Sequence, residues 1–236
     1  MEVSKKIVFI KDWILNYVNS MPKKAKSLVI GISGGIDSSV TSTLCALTGI
    51  KTIVLTMPIK QITSQYDLST KHKNWLKEKF KNTESHIIEL DEVFNSFQSK
   101  LSKFDNEHGM ANSRARIRMT TLYQVAAANN GIVVGTGNKI EDFGVGFYTK
   151  YGDGGVDISP IADLTKTEVW ELGKELNISE EIIKAQPTDG LWDDGRTDTG
   201  QLGLSYQKLE EAMNNPNSPN RPKYDCLLYT SDAADE

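Results

Sequence analysis

The sequence predicts an α/β domain, a parallel sheet with helices on both faces in three layers. Four short, continuous apolar runs rich in β-branched residues read as buried strands, and helical stretches lie between them. The chain of 236 residues, 39% of them hydrophobic, has enough apolar material for one packed core and is short for two. Strands alternating with helices imply parallel pairing with right-handed crossovers.

Residues 5–20 place Ile7, Val8, Ile10, Ile14, Leu15 and Val18 on one face of a first helix, which Pro22 ends. Strands are expected at 27–32 (SLVIGI), 52–57 (TIVLTM), 85–90 (SHIIEL) and 131–135 (GIVVG), all read as fully buried. Helices are expected at 38–47, 65–81, 91–104 and 111–129. Beyond Gly135 the pattern becomes a glycine-rich loop region, until Thr165 and Glu168 predict a capping box that opens a helix running to about Leu176. Residues 214–223 (NNPNSPNRPK) hold three of the seven prolines without periodicity and read as a linker or disordered segment.

A net charge of -4 argues against wholesale electrostatic capture of nucleic acid. Two cysteines, Cys45 and Cys226, and three scattered histidines cannot build a disulfide framework or a zinc site, so a reducing compartment is expected. His72, His86 and His108 read as surface or strand residues, and Cys45 as a small packed hydrophobe. No run approaches the ~20 apolar residues that span a bilayer, and nothing resembles an export signal, so a cytoplasmic protein without membrane or nucleic-acid partners is expected.

The most informative stretch is Gly31, Ile32, Ser33, Gly34, Gly35, Ile36, Asp37 and Ser38, placed after a strand and at the start of a helix. Its backbone amides can point into one concavity, its glycines let a ligand approach the main chain, and the helix N-terminus adds partial positive charge. Ser33 and Ser38 can add hydroxyl donors. Asp37 facing a polyphosphate requires a cation between them, most simply Mg²⁺. No lysine of the Walker type is present. The same residues also fit the nucleophile elbow of serine hydrolases, with Asp91 and His108 in the required order, but only 32 residues precede Ser33, too few for the strands that fold builds first.

With this loop, the chain resembles the N-type ATP pyrophosphatases, whose fold is of the adenine nucleotide alpha hydrolase, Rossmann-like three-layer type. Residues 114–119 (RARIRM), 135–141 (GTGNKIE) and 147–157 (FYTKYGDGGVD) resemble the signatures of ammonia-dependent NAD synthetase within that group. The resemblance implies a homodimeric ligase that adenylates deamido-NAD with ATP and amidates it with free ammonia, releasing AMP and pyrophosphate. It implies Asp37 and Glu141 as Mg²⁺ ligands, with Asp37, Ser33 and Lys166 carrying the chemistry. It also implies ATP contacts from residues 31–38, Thr136, Lys166 and Thr188, and deamido-NAD contacts from Arg116, Lys150 and Asp157. The nearest alternatives are a GMP synthetase-like member and a non-catalytic ATP-binding module. Apolar residues of the helices at 5–20 and 111–129 are candidate dimer contacts.

Two stretches depart from the family. Residues 195–201 (GRTDTGQ) replace a more acidic loop, with Thr199 and Gly200 the differing positions. Residues 226–236 (CLLYTSDAADE) resemble a translated sequencing adapter, so the chain divides into a synthetase domain at 1–213, a linker at 214–225 and a non-native tail. The tail holds three carboxylates and no base, and so accounts for three of the four net negative charges. The family's further segment with a His-Lys pair is then expected beyond Asp225.

Overall fold

In the computed structural model, which describes residues 1–61, 63–192 and 194–234, α1 (Val3–Ser20) leads into β1 (Ser27–Gly31), α2 (Ile36–Leu47), β2 (Lys51–Thr56), α3 (Thr63–Lys79), β3 (Thr83–Ile87), α4 (Asp91–Lys100), α5 (Glu107–Ala128) and β4 (Gly131–Val133). Past the sheet come a π-helical turn, Ile140–Val145, and the helices α6 (Lys166–Glu175), α7 (Glu180–Lys184), α8 (Asp198–Leu202), α9 (Tyr206–Asn214) and α10 (Arg221–Ala234). Asp235 and Glu236, the last residues of the stretch read as an adapter, lie outside the described residues.

The four strands are parallel in the order β3-β2-β1-β4. From β1 the chain steps outward through β2 to β3, then returns to β4 on the other side of β1. The carboxyl ends of β1 and β4 therefore flank the point where strand order reverses, which is where open α/β sheets bind ligands.

Alternation along β1 divides the core. Leu28 and Ile30 pack with Ile10, Ile14 and Val18 of α1, Val40 and Leu44 of α2, and Val169 and Leu172 of α6. Val29 faces the opposite layer with Phe94 of α4, Met110 and Ala126 of α5, and Ile53 and Leu55 of β2. Burying each such side chain contributes about 1.5–3 kcal/mol. A third cluster joins Ile140 and Val145 of the π-turn to Tyr206 and Leu209 of α9 and Tyr224 of α10.

Three readings of the elements need correction. Val8, expected on the buried face of α1, is 51% exposed; it lies two residues from Ile10, about 200° around the helix. The third strand is not buried: it spans Thr83–Ile87 at the sheet edge, paired on one side only, while Ile88 and Leu90 of the apolar run fall in the following loop. Residues 214–223 are a built corner rather than a linker. Ser218 is buried, its amide donates to the Asn215 carbonyl at 3.0 Å and its hydroxyl to the Glu211 carboxylate, and Tyr224 packs into the third cluster. Pro222 sits in the first turn of α10, where its missing N–H costs nothing. The prolines there mark a helix start.

The histidine reading also changes at one position. His72 of α3 is buried, with Nε2 3.0 Å from the Ser42 hydroxyl and its ring stacked on Trp75, and burial lowers its pKa from 6.5 to about 4. Cys45 is buried as expected, and burial raises its thiol to about 12. No helix among the described residues is long and apolar enough to cross a membrane.

Because folding lowers the His72 pKa, the unfolded chain binds the extra proton between pH 6.5 and 4. Its contribution is complete above pH 6.5 and is lost as pH falls toward 4, a change of about 3 kcal/mol. Urea unfolding of the protein and of His72→Phe at pH 7 and pH 4 tests this: the protein should lose about 3 kcal/mol more than the variant, and equal losses would refute a neutral buried imidazole.

Candidate active site

The loop leaving β1 turns sharply because Gly34 adopts φ +94°. A Cβ there would stand 2.7 Å from the Gln65 carbonyl oxygen and 2.9 Å from the Ser69 nitrogen of α3, so the position needs glycine for both conformation and space. Gly35 is the N-cap of α2. The Ser33 and Ser38 hydroxyls lie 3.1 Å apart; the Ser33 amide donates to Ser38 Oγ, and the Gly35 amide to Ser33 Oγ. Hydroxyls and amides thus gather at a helix N-terminus, a setting that favours an anion.

This loop forms one wall of a cavity of about 540 Å³. Gly135 and Thr136, just past β4, form the facing wall, and Thr188 with its neighbours closes a side. Gln65 Nε2 donates to Thr188 Oγ1 at 3.4 Å, tying α3 to that side. Residues 31–38, Thr136, Glu141, Lys166 and Thr188, dispersed over more than 150 positions of sequence, all line it.

At its floor Lys166, 2% exposed, donates from Nζ to Asp37 Oδ2 at 2.6 Å and to Glu141 Oε1 at 2.8 Å. Lys166 opens α6 under the capping box of Thr165 and Glu168, which has both its reciprocal bonds. Lys6 of α1 pairs with Glu168 at 2.5 Å and braces that helix end. The Asp37 Oδ1 atom accepts from Asn138 Nδ2 at 3.0 Å, while Asn138 Oδ1 accepts the amides of Ile140 and Glu141. The π-turn widens the helix at Glu141, and such turns occur often at functional sites.

Burial raises the Asp37 carboxyl against the pull of Lys166. Burial would raise Glu141 as well, but the Lys166 ammonium and its hydrogen bonds hold it below the ordinary range. Burial opposes the Lys166 charge, yet the two carboxylates raise its pKa and keep it an ammonium. Around this centre burial and the Glu141 charge lift Asp142 and Asp198 to about 7, and burial lifts Asp153 to about 6.

Arg116, Lys150 and Asp157 do not line the cavity. Arg116 Nε donates to the Lys150 carbonyl at 3.2 Å on the outer side of α5. Asp157 is engaged by the fold: Oδ2 accepts the Val133 amide at 2.7 Å and Oδ1 the Tyr123 hydroxyl at 3.1 Å. The serine-hydrolase arrangement is not assembled, since His108 lies against Trp192 and Asp91 accepts the Lys60 amide.

Four further side chains join the site, Asn138 and Arg118 from the signature stretches at 135–141 and 114–119, and Tyr206 and Asp198 from outside them. Asn138 and Tyr206 hold the carboxylates, and Asp198 holds Tyr206. Arg118 faces the cavity, donating Nε to the Met57 carbonyl at 3.0 Å, with its pKa lowered to about 10 by burial and by Arg114. The signature stretch 114–119 (RARIRM) is its sign in the sequence. Thr197 caps α8 by accepting the Gly200 amide, so the altered Thr199 and Gly200 still leave Asp198 in place.

The architecture and the cavity define a class: an α/β protein with an anion-binding loop and a buried cation–carboxylate centre at its topological switch point. The family model described as NAD synthase matches residues 6–224, and the chain belongs to that family. An NH(3)-dependent NAD(+) synthetase of Sulfurisphaera tokodaii is 38% identical over 206 residues, covering 86% of this chain and 72% of that protein. Among solved structures, an NMN synthetase from Francisella tularensis superposes with TM-score 0.89 at 29% identity, covering 98% of this chain and 94% of its own. An NH3-dependent NAD synthetase from Campylobacter jejuni superposes with TM-score 0.75 at 28% identity, with 99% and 93% covered.

Gly34→Ala should lower the stability of the protein by about 1–3 kcal/mol, because a left-handed conformation and a backbone clash fall on one residue. Urea unfolding checks this, and an unchanged stability would contradict the close approach of α3 to the loop.

Proposed function

We propose that the protein amidates deamido-NAD with ammonia at the expense of ATP, forming NAD, AMP and pyrophosphate through an adenylated intermediate. The observation that carries this reading is the convergence of Asp37 and Glu141 on a single cation, Lys166 Nζ, beside the anion-binding loop. Two hard carboxylate oxygens already arranged around one positive charge suit Mg²⁺, which commonly binds one or two carboxylates plus phosphate oxygens and water. Among the described residues no group of three or more His, Cys, Asp or Glu is arranged to hold a metal ion by itself. Bound there, Mg²⁺ would neutralise charge on the departing pyrophosphate.

The protein's own groups supply the rest. The N-terminal turn of α2 and the Ser33 and Ser38 hydroxyls cradle the pyrophosphate, Lys166 offers a cation to the phosphates, and Thr136 and Thr188 hold the nucleotide. An anionic nicotinate carboxylate is a poor electrophile. Its oxygen attacks the α-phosphorus, pyrophosphate leaves, and the mixed anhydride gives ammonia a good leaving group, AMP. Stabilising charge on the phosphoryl groups matters more here than covalent help.

Arg116 and Lys150 lie outside the cavity, which accords with a homodimer in which a second copy completes the deamido-NAD site. Phe9, Trp13 and Tyr17 form an exposed stripe on α1 that suits such a contact. The free, buried thiol of Cys45 accords with a cytoplasmic setting. The likeness to an NMN synthetase supports a second reading, in which nicotinate mononucleotide is the acceptor.

Continued formation of AMP, with pyrophosphate in equal amount, should require ATP, Mg²⁺, ammonia and one of these acceptors together; ADP and phosphate as products would overturn the proposal. Comparing kcat/KM for deamido-NAD and nicotinate mononucleotide decides between the acceptors. Asp37→Ala should reduce turnover at least ~100-fold, the upper range of loss when a metal site is disturbed.

A further inference from the structure

Tyr206 has no role in the chemistry above, yet it occupies a demanding position. It opens α9, where the Ser205 hydroxyl accepts the Lys208 amide and fixes the helix start. Its ring lies edge-on to Trp170, and Lys166 Nζ sits 4.7 Å from the ring centroid. Its hydroxyl is 2.6 Å from Glu141 Oε1 and 2.9 Å from Asp198 Oδ2.

A phenol has one proton and cannot donate to two carboxylates at once. Glu141 is the charged partner and the nearer one, so it takes that proton, and the tyrosine oxygen is left as an acceptor. Asp198 must then donate, which requires a protonated carboxyl. Its burial among anions favours that form. The order is Asp198 to Tyr206 to Glu141, each group orienting the next. Glu141 Oε1 receives Lys166 as well, so one carboxylate oxygen is clamped by an ammonium and a phenol from α6 and α9.

We propose that Tyr206 is a positioning residue for Glu141, and that Asp198 acts through Tyr206, so that the pair holds the Glu141 carboxylate in the orientation in which it shares a cation with Asp37. This rests on the reading of Asp37 and Glu141 as the divalent-cation ligands. Groups that orient a ligand in this way commonly change metal affinity by about 10–100-fold when removed.

Tyr206→Phe keeps the ring against Trp170 and Lys166 and removes only the hydroxyl. Mn²⁺ binding in the presence of ATP, followed by electron paramagnetic resonance, should weaken about tenfold or more, and the Mg²⁺ concentration for half-maximal turnover should rise in parallel. The KM for the acceptor should stay within about twofold, and raised Mg²⁺ should recover turnover, a rescue that general loosening of α9 would not give. Asp198→Ala should shift metal dependence in the same direction, while Asp198→Asn, whose amide can still donate to the phenol oxygen, should restore it toward the wild-type value. An unchanged Mn²⁺ affinity in Tyr206→Phe, or Asp198→Asn as impaired as Asp198→Ala, would overturn the assignment. Mn²⁺ and ATP binding are read without turnover, so failure of this proposal is separable from failure of the wild-type protein to form AMP from either acceptor.

Discussion

The buried contact of Lys166 with Asp37 and Glu141 is the constraint to which the rest of the molecule answers. The three residues come from the first turn of α2, the π-turn beyond β4 and the first turn of α6. Each element is separately anchored: α2 through its apolar face, the π-turn through Ile140 and Val145, and α6 through its capping box and Lys6. A buried charge group of this kind is strongly destabilised when one partner is removed, because the others remain uncompensated. The contact therefore serves organisation more than stability, holding three chain segments at one fixed spacing beside the anion-binding loop.

The site follows from topology as well as from charge. β1 is central because its sequence is apolar on both sides, and β4 joins it on the side opposite β2. That arrangement sets the anion loop and Thr136 across one crevice, with the N-terminus of α2 directed into it. Arg118 enters from the opposite layer, through α5, so both helical layers contribute to the cavity.

Much of this was legible in the sequence, for identifiable reasons. The apolar runs fixed three of the four strands closely, since buried parallel strands carry an unbroken signal; β3 was misjudged because an edge strand borrows its apolar residues from the loop that follows. The anion loop was readable because eight consecutive residues carry both its glycines and its charge. Glu141 and Lys166 came only through family resemblance, as neither stands in a pattern that spacing alone could interpret. Tyr206 and Asp198 left no such trace. An aromatic at a helix start and an aspartate in a polar loop have ordinary packing and capping explanations, and their role exists only where α8, α9 and the π-turn meet. The proline-rich corner at 214–223 was misread for the converse reason, because composition reports chain stiffness but not the surface on which the chain docks.

The exposed third strand has one more consequence. Its outer edge offers unpaired backbone groups to any extended segment that approaches. Glu84 on this strand is bound to Lys51 at 2.7 Å and lies 2.7 Å from His86 Nε2, so the margin of the sheet carries a charged cluster where a bare apolar strand would be expected to recruit another chain. A pairing intruder would have to bury or dismantle those charges. The sheet can thus stay open on this side, as its strand order requires, without becoming a template for aggregation.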